Sequence, residues 1–274
     1  MEQGYFTIGR ALDPSYWTNR IVIGLCALTA VISALHGTVS GLPLKDIALQ
    51  SLTAPLSAFI PWALAREMDP DNEVAALLTL PIGVTTYVLW GGHMALGGFA
   101  MVLCARMLSK TTGPETAPGD MVATAALALS SAVVETPVIG IPAGLALCYA
   151  GDGRNSLLYR MTGIGCITLS SALLWKNNVS FAPAPYHSLA AAAMLAIFIG
   201  WRLSISLPLT SQDDRGVSTL ERKNVNSAAI LIALAAGMLT LAYNGTTWQY
   251  GLGLWASLAG VACYGIVRRM TYKG

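Results

Sequence analysis

The stretch from Met121 to Gly151, MVATAALALSSAVVETPVIGIPAGLALCYAG, carries a single charged side chain, Glu135, near its middle. As one helix it would run roughly 45 Å, against a bilayer hydrocarbon core of roughly 30 Å. It must therefore break. The step Glu135-Thr136-Pro137 is where it breaks, because proline has no N–H to continue a helix and its fixed φ suits the first position of a new one. Whether the chain also turns around there sets the side of every later loop.

The cationic residues answer that question. Lys and Arg number sixteen. With the N-terminus cytoplasmic and the chain reversing at Glu135-Thr136-Pro137, all of them except Lys45 and Lys176 fall on the cytoplasmic side. With one uninterrupted span, only Arg10, Arg20, Arg66, Arg106, Lys110 and Lys176 stay there. The positive-inside rule selects the reversal.

Composition agrees with a membrane protein: 54% of residues are hydrophobic, 11% are charged, and mean hydropathy is +0.58. Too little polar surface is available for a water-soluble globule. A net charge of +2 without a basic stripe suggests no nucleic-acid partner. Cys26, Cys104, Cys148, Cys166 and Cys263 lie in or beside apolar runs without metal-ligand spacing, so neither a disulfide framework nor a zinc cluster is expected. The first nineteen residues are too long and too acidic for a cleaved signal, so we expect a retained cytoplasmic or interfacial leader, with Phe6, Ile8, Tyr16 and Trp17 along the interface. We divide the chain into this leader (1–19), one transmembrane bundle (20–267) and a basic tail (268–274).

Apolar runs fall at Arg20 to Thr38, Thr53 to Ala65, Val74 to Trp90, His93 to Leu108, Met121 to Val134, Val138 to Ala150, Ser156 to Trp175, Ser188 to Leu207, Ser227 to Tyr243 and Trp248 to Val267. The expected fold is an all-α polytopic membrane protein of about ten short transmembrane helices in five hairpins, both termini cytoplasmic. Outer turns are expected at Ser40 to Ser51, Gly91-Gly92, Glu135-Thr136-Pro137, Lys176 to Tyr186 and Asn244-Gly245. The cell membrane, inner or plasma, is the expected location. Small residues crowd the spans, as close helix packing in lipid requires.

Two constellations carry possible chemistry. On the outer side, His36, His93 and His187 map to span ends and join Glu135; imidazoles with a carboxylate suit a divalent metal or a proton relay. On the inner side, Asp69 and Asp71 sit in one loop and Asp213 and Asp214 in another. Those carboxylates, with Arg66, Arg215, Arg222 and Lys223, have the chemistry to hold Mg²⁺ against a diphosphate. The plainer account makes the acids helix caps: Asp71 or Asn72 before Val74, Asp120 before Met121, and Ser218-Thr219-Leu220-Glu221 as a capping box.

The first functional reading is a permease or channel for a small solute or ion, with Glu135, Pro137 and Pro142 on the path, because broken helices expose backbone groups at membrane depth. The second is a membrane-embedded, metal-dependent transferase or cyclase acting on a lipid or polyprenyl substrate at the cytoplasmic face. The third is a non-catalytic assembly or scaffold protein. No P-loop, HExxH, GxSxG or dinucleotide motif is present.

Overall fold

The computed structural model describes residues 6–9, 12–90, 94–113, 116–151, 155–179, 185–205, 208–214, 216–242 and 248–271. Helices dominate: α1 (Trp17–Val39), α2 (Leu44–Thr53), α3 (Leu56–Met68), α4 (Glu73–Trp90), α5 (Ala95–Ser109), α6 (Pro118–Val134), α7 (Gly140–Ala150), α8 (Ser156–Lys176), α9 (Pro185–Leu203), α10 (Arg222–Leu241) and α11 (Leu252–Thr271). No strand occurs among the described residues. Six stretches are long and apolar enough to cross a membrane, and the segments around α5, α6, α7 and α9 are shorter apolar helices.

Burial ranks the helices. In α10, 67% of the most apolar eighteen residues are enclosed by protein, against 22% in α1. Helix α10 is thus the inner post, touching α3, α5, α9 and α11. Val31, Ile32, Leu35 and Val39 of α1 face outward, where acyl chains rather than water are the compatible surroundings.

The break in the central stretch is local chemistry. Helix α6 ends at Val134, Pro137 opens a single 3₁₀ turn over Pro137–Ile139, and α7 follows. The Thr136 hydroxyl accepts a hydrogen bond from Val138 N. The chain also reverses. Gly151, just after α7, lies against Tyr159, whose hydroxyl donates to Ala117 O at 2.7 Å, immediately before α6. The start of α6 and the end of α7 therefore share one end of the bundle.

Two elements differ from the sequence expectation. Residues expected as an outer turn from Ser40 to Ser51 include α2, since Pro43 sits at its N-cap, Asp46 complements its first-turn dipole, and Pro55 follows its end. Its polar composition hides it from a hydropathy reading. The capping box at Ser218 does not form. Helix α10 starts later, at Arg222, and the Ser218 N–H and hydroxyl both donate to the Asp213 carboxylate, a stronger acceptor than a neutral cap.

Helices α7 and α8 meet backbone to backbone. A Cβ on Gly144 would come within 2.5 Å of Gly163 O, and one on Gly163 equally close to Gly144 O. Gly144→Ala is therefore expected to destabilise by about 1–3 kcal/mol, read as a lower melting temperature in detergent. Gly165→Ala, on the partner helix α8, meets nothing within 4 Å and should be neutral or stabilise by up to about 1 kcal/mol. Equal effects for the two would refute the close-packing account.

Candidate functional site

Glu135 sits at the end of the bundle where α5 begins. Its Oε1 accepts from Leu96 N at 2.9 Å, and its Oε2 from Gly97 N and the Ser131 hydroxyl, both at 2.8 Å. The first turn of α5 has orphan N–H groups and a positive dipole end, so a carboxylate offered from the end of α6 satisfies both. Gly97 makes room for it: a Cβ there would stand 3.2 Å from Oε2. Both oxygens of Glu135 are thus engaged in tying α6 to α5. Pro137 and Pro142 are buried beside this junction. His36 is exposed in the last turn of α1. His93 and the side chain of His187 lie outside the described residues. Among the described residues, no group of three or more His, Cys, Asp or Glu side chains is arranged to hold a metal ion.

The opposite end of the bundle gathers several charged side chains among the described residues. Glu67, 1% exposed, accepts from Arg106 Nε at 3.2 Å, from the Ser109 hydroxyl at 2.9 Å and from the Thr111 hydroxyl. This network locks the end of α3 to the end of α5. Asp120, fully buried, accepts from the N–H groups of Thr7, Ile8 and Ala117 and from the Thr7 hydroxyl. Asp120 is not the N-cap expected before Met121: α6 starts earlier, at Pro118, with Ala117 as its N-cap, and Asp120 reaches back from the first turn to Ala117 N while also pinning the N-terminal segment. Ile8 is buried in the core instead of lying along the interface.

At this same end a cavity of about 670 Å³ opens between the α3–α4 loop, the end of α9, the start of α10 and the end of α11. Asp69, Asp71, Arg202, Arg222, Tyr264 and Arg268 line it. Several polar ties hold its shape. Asp71 accepts from Thr210 N and from Ser211 N at 2.8 Å, which fastens the segment after α9 to the α3–α4 loop. Arg268 Nη1 donates to Asn72 Oδ1 at 2.9 Å, and Asn72 Nδ2 donates to Asp69 Oδ1 at 2.9 Å. Arg202 Nη2 donates to Met68 O. Gly265 leaves space for the Trp201 indole, since a Cβ there would collide with the ring.

The two carboxylates differ in character. Burial pushes the Asp69 carboxyl above the usual carboxylate range, opposed by the Asn72 hydrogen bond and the Arg202 and Arg222 charges. For Asp71, burial also works against the charged form, but the Ser211 and Thr210 donors outweigh it and hold the carboxyl below the usual range.

The structure therefore brings Asp69 and Asp71 together with Arg222, and adds Trp201, Arg202, Tyr264 and Arg268. Sequence reading counted Arg202 and Arg268 only among the cytoplasmic cations. Their shared side with the acidic loop was the available signal. Asp213 and Asp214 do not line this cavity. Asp213 turns to Val217 N and Ser218 within its own loop, and Asp214 N donates to Thr111 O. Arg66 pairs with Glu73 at 3.2 Å across the α3–α4 loop. Arg215 lies outside the described residues. The two acidic loops touch through Asp71 and Ser211, yet the four carboxylates are not pooled.

No family model, curated protein or solved structure matches this chain.

Proposed function

We propose that this protein is a multi-pass permease of the cell membrane for a small solute or ion, with the cavity beside Asp69, Arg202 and Arg222 as its solute seat. The helices form five hairpins, both termini are cytoplasmic, and the cavity opens to the cytoplasm. The observation that carries this reading is the cavity itself. Its volume of about 670 Å³ is of solute size, and it lies where three helix ends and an acidic loop converge. The cationic side chains around that end support a cytoplasmic orientation under the positive-inside rule. Glu135 serves the path from the far end, by holding the broken α6–α7 pair against the start of α5. An enzyme dependent on a divalent cation fits less well, because Asp213 is engaged in its own loop.

The test is solute flux in proteoliposomes of the purified chain. Potassium phosphate, potassium acetate and glycerol form the panel, and Ser204→Trp is the plugged variant. Ser204 lines the cavity on an exposed turn after α9, so the larger side chain blocks space without disturbing the core. We expect protein-dependent entry of at least one solute and at least about a tenfold loss with the plug, because steric access governs a pre-formed site. Flux indistinguishable from empty vesicles across the panel would remove the permease reading.

A further inference from the structure

We infer that this cavity is an oxyanion site that seats a phosphate-type group, free or esterified, among Arg202, Arg222 and Arg268. The inference deepens the permease reading and rests on the cavity being the solute seat.

Two buried donors without acceptors point to it. Arg202 is 1% exposed; its Nη2 is spent on Met68 O, while its Nε has no partner. The neighbouring Trp201 Nε1 is also buried without a partner. Both residues line the cavity. A buried N–H without an acceptor is costly, and a buried guanidinium more so. A water molecule would satisfy either N–H, but only an anion also offsets the accumulated positive charge.

The charge balance favours an anion. Three guanidiniums line the cavity against two carboxylates. The Asp71 carboxylate already faces the Thr210 and Ser211 amides, and burial shifts Asp69 towards its neutral form. Guanidinium, in contrast, starts from so high a pKa that it stays charged near neutral pH.

Geometry then selects a tetrahedral oxyanion. The arginines approach from three different helices, α9, α10 and α11. A carboxylate presents two oxygens in one plane and suits one fork. Phosphate presents oxygens in several directions and accepts from several forks at once.

The test is titration calorimetry on the full chain in phosphatidylcholine nanodiscs, with inorganic phosphate, sulfate and acetate as probes and phosphatidate-containing discs as a competing surface. Phosphate and sulfate should bind saturably and at least about tenfold more tightly than acetate, as expected for multi-fork recognition. Arg222→Gln and, on the exposed end of α11, Arg268→Gln should each weaken phosphate by about tenfold or more. Arg268→Gln keeps the test decisive if loss of Arg222 disturbs folding. Loss of phosphate binding in phosphatidate discs assigns the site to a lipid headgroup; retention assigns it to a free solute. Both outcomes support an oxyanion site. Phosphate binding no tighter than acetate, or unchanged in both variants, overturns it. Phosphate binding without flux keeps the site and removes the permease. Plug-sensitive flux of glycerol or acetate without phosphate binding does the reverse.

Discussion

Glu67→Ala is expected to be the most damaging single substitution outside the helix contacts, costing about 3–5 kcal/mol. The carboxylate is 1% exposed and its partner Arg106 is 10% exposed at the side chain, so neither recovers water when the other is removed. Alanine would leave a buried guanidinium beside two hydroxyls, Ser109 and Thr111, that lose their common acceptor. Arg106 would keep its Nη1 bond to Ile8 O, which cannot offset a full charge. The measurement is thermal or chemical unfolding in detergent. A double variant, Glu67→Ala with Arg106→Met, should recover a large part of the loss, because an apolar pair avoids the uncompensated charge. A single variant as stable as wild type, or no recovery in the double, would show that the ion pair is not what joins α3 to α5.

Asp120→Ala ranks next, at about 2–4 kcal/mol, given four hydrogen bonds to a buried anion whose contributions do not simply add. The loss has a local component that distinguishes it from Glu67→Ala. Thr7 and Ile8 reach the bundle through this carboxylate, so the segment 6–9 should lose amide protection and become open to proteolysis while α6 persists with Pro118 at its start. Hydrogen exchange resolved by peptide reads this directly. Asp120→Asn should be milder, since its amide oxygen still accepts although the charge is gone. If exchange at residues 6–9 is unchanged in the alanine variant, the leader is held by Ile8 packing and the Arg106 bond instead.

These two networks illustrate how much was legible in the chain. The helical character of the apolar runs and the break at Glu135-Thr136-Pro137 follow from hydropathy and proline chemistry, both local, and each run corresponds to a helix in the structure. Helix α2 was hidden because Lys45, Asp46, Gln50 and Ser51 give it a polar composition. Asp120 was read as the N-cap before Met121, but α6 begins at Pro118 and Asp120 instead reaches back from the first turn to Ala117 N; its grip on Thr7, over a hundred residues away, left no local mark. Asp69 and Asp71 were picked as a site for their loop density, and they do line a cavity. Their expected companions Asp213 and Asp214 do not, because a backbone pairing of Gln212 with Thr219 curls that loop onto itself.

The amino-acid sequence alone determined the class of this protein, a bundle of apolar helices of which six are long enough to cross a membrane, because hydropathy, proline and glycine act over a few residues. Tertiary structure alone decided which partners the charged side chains meet. Arg202 reaches Met68 across 134 residues, and Arg268 reaches Asn72 across 196. Such contacts depend on how each helix is rotated about its axis and how closely small residues let neighbours approach. Those are properties of the packed bundle, and no single segment encodes them.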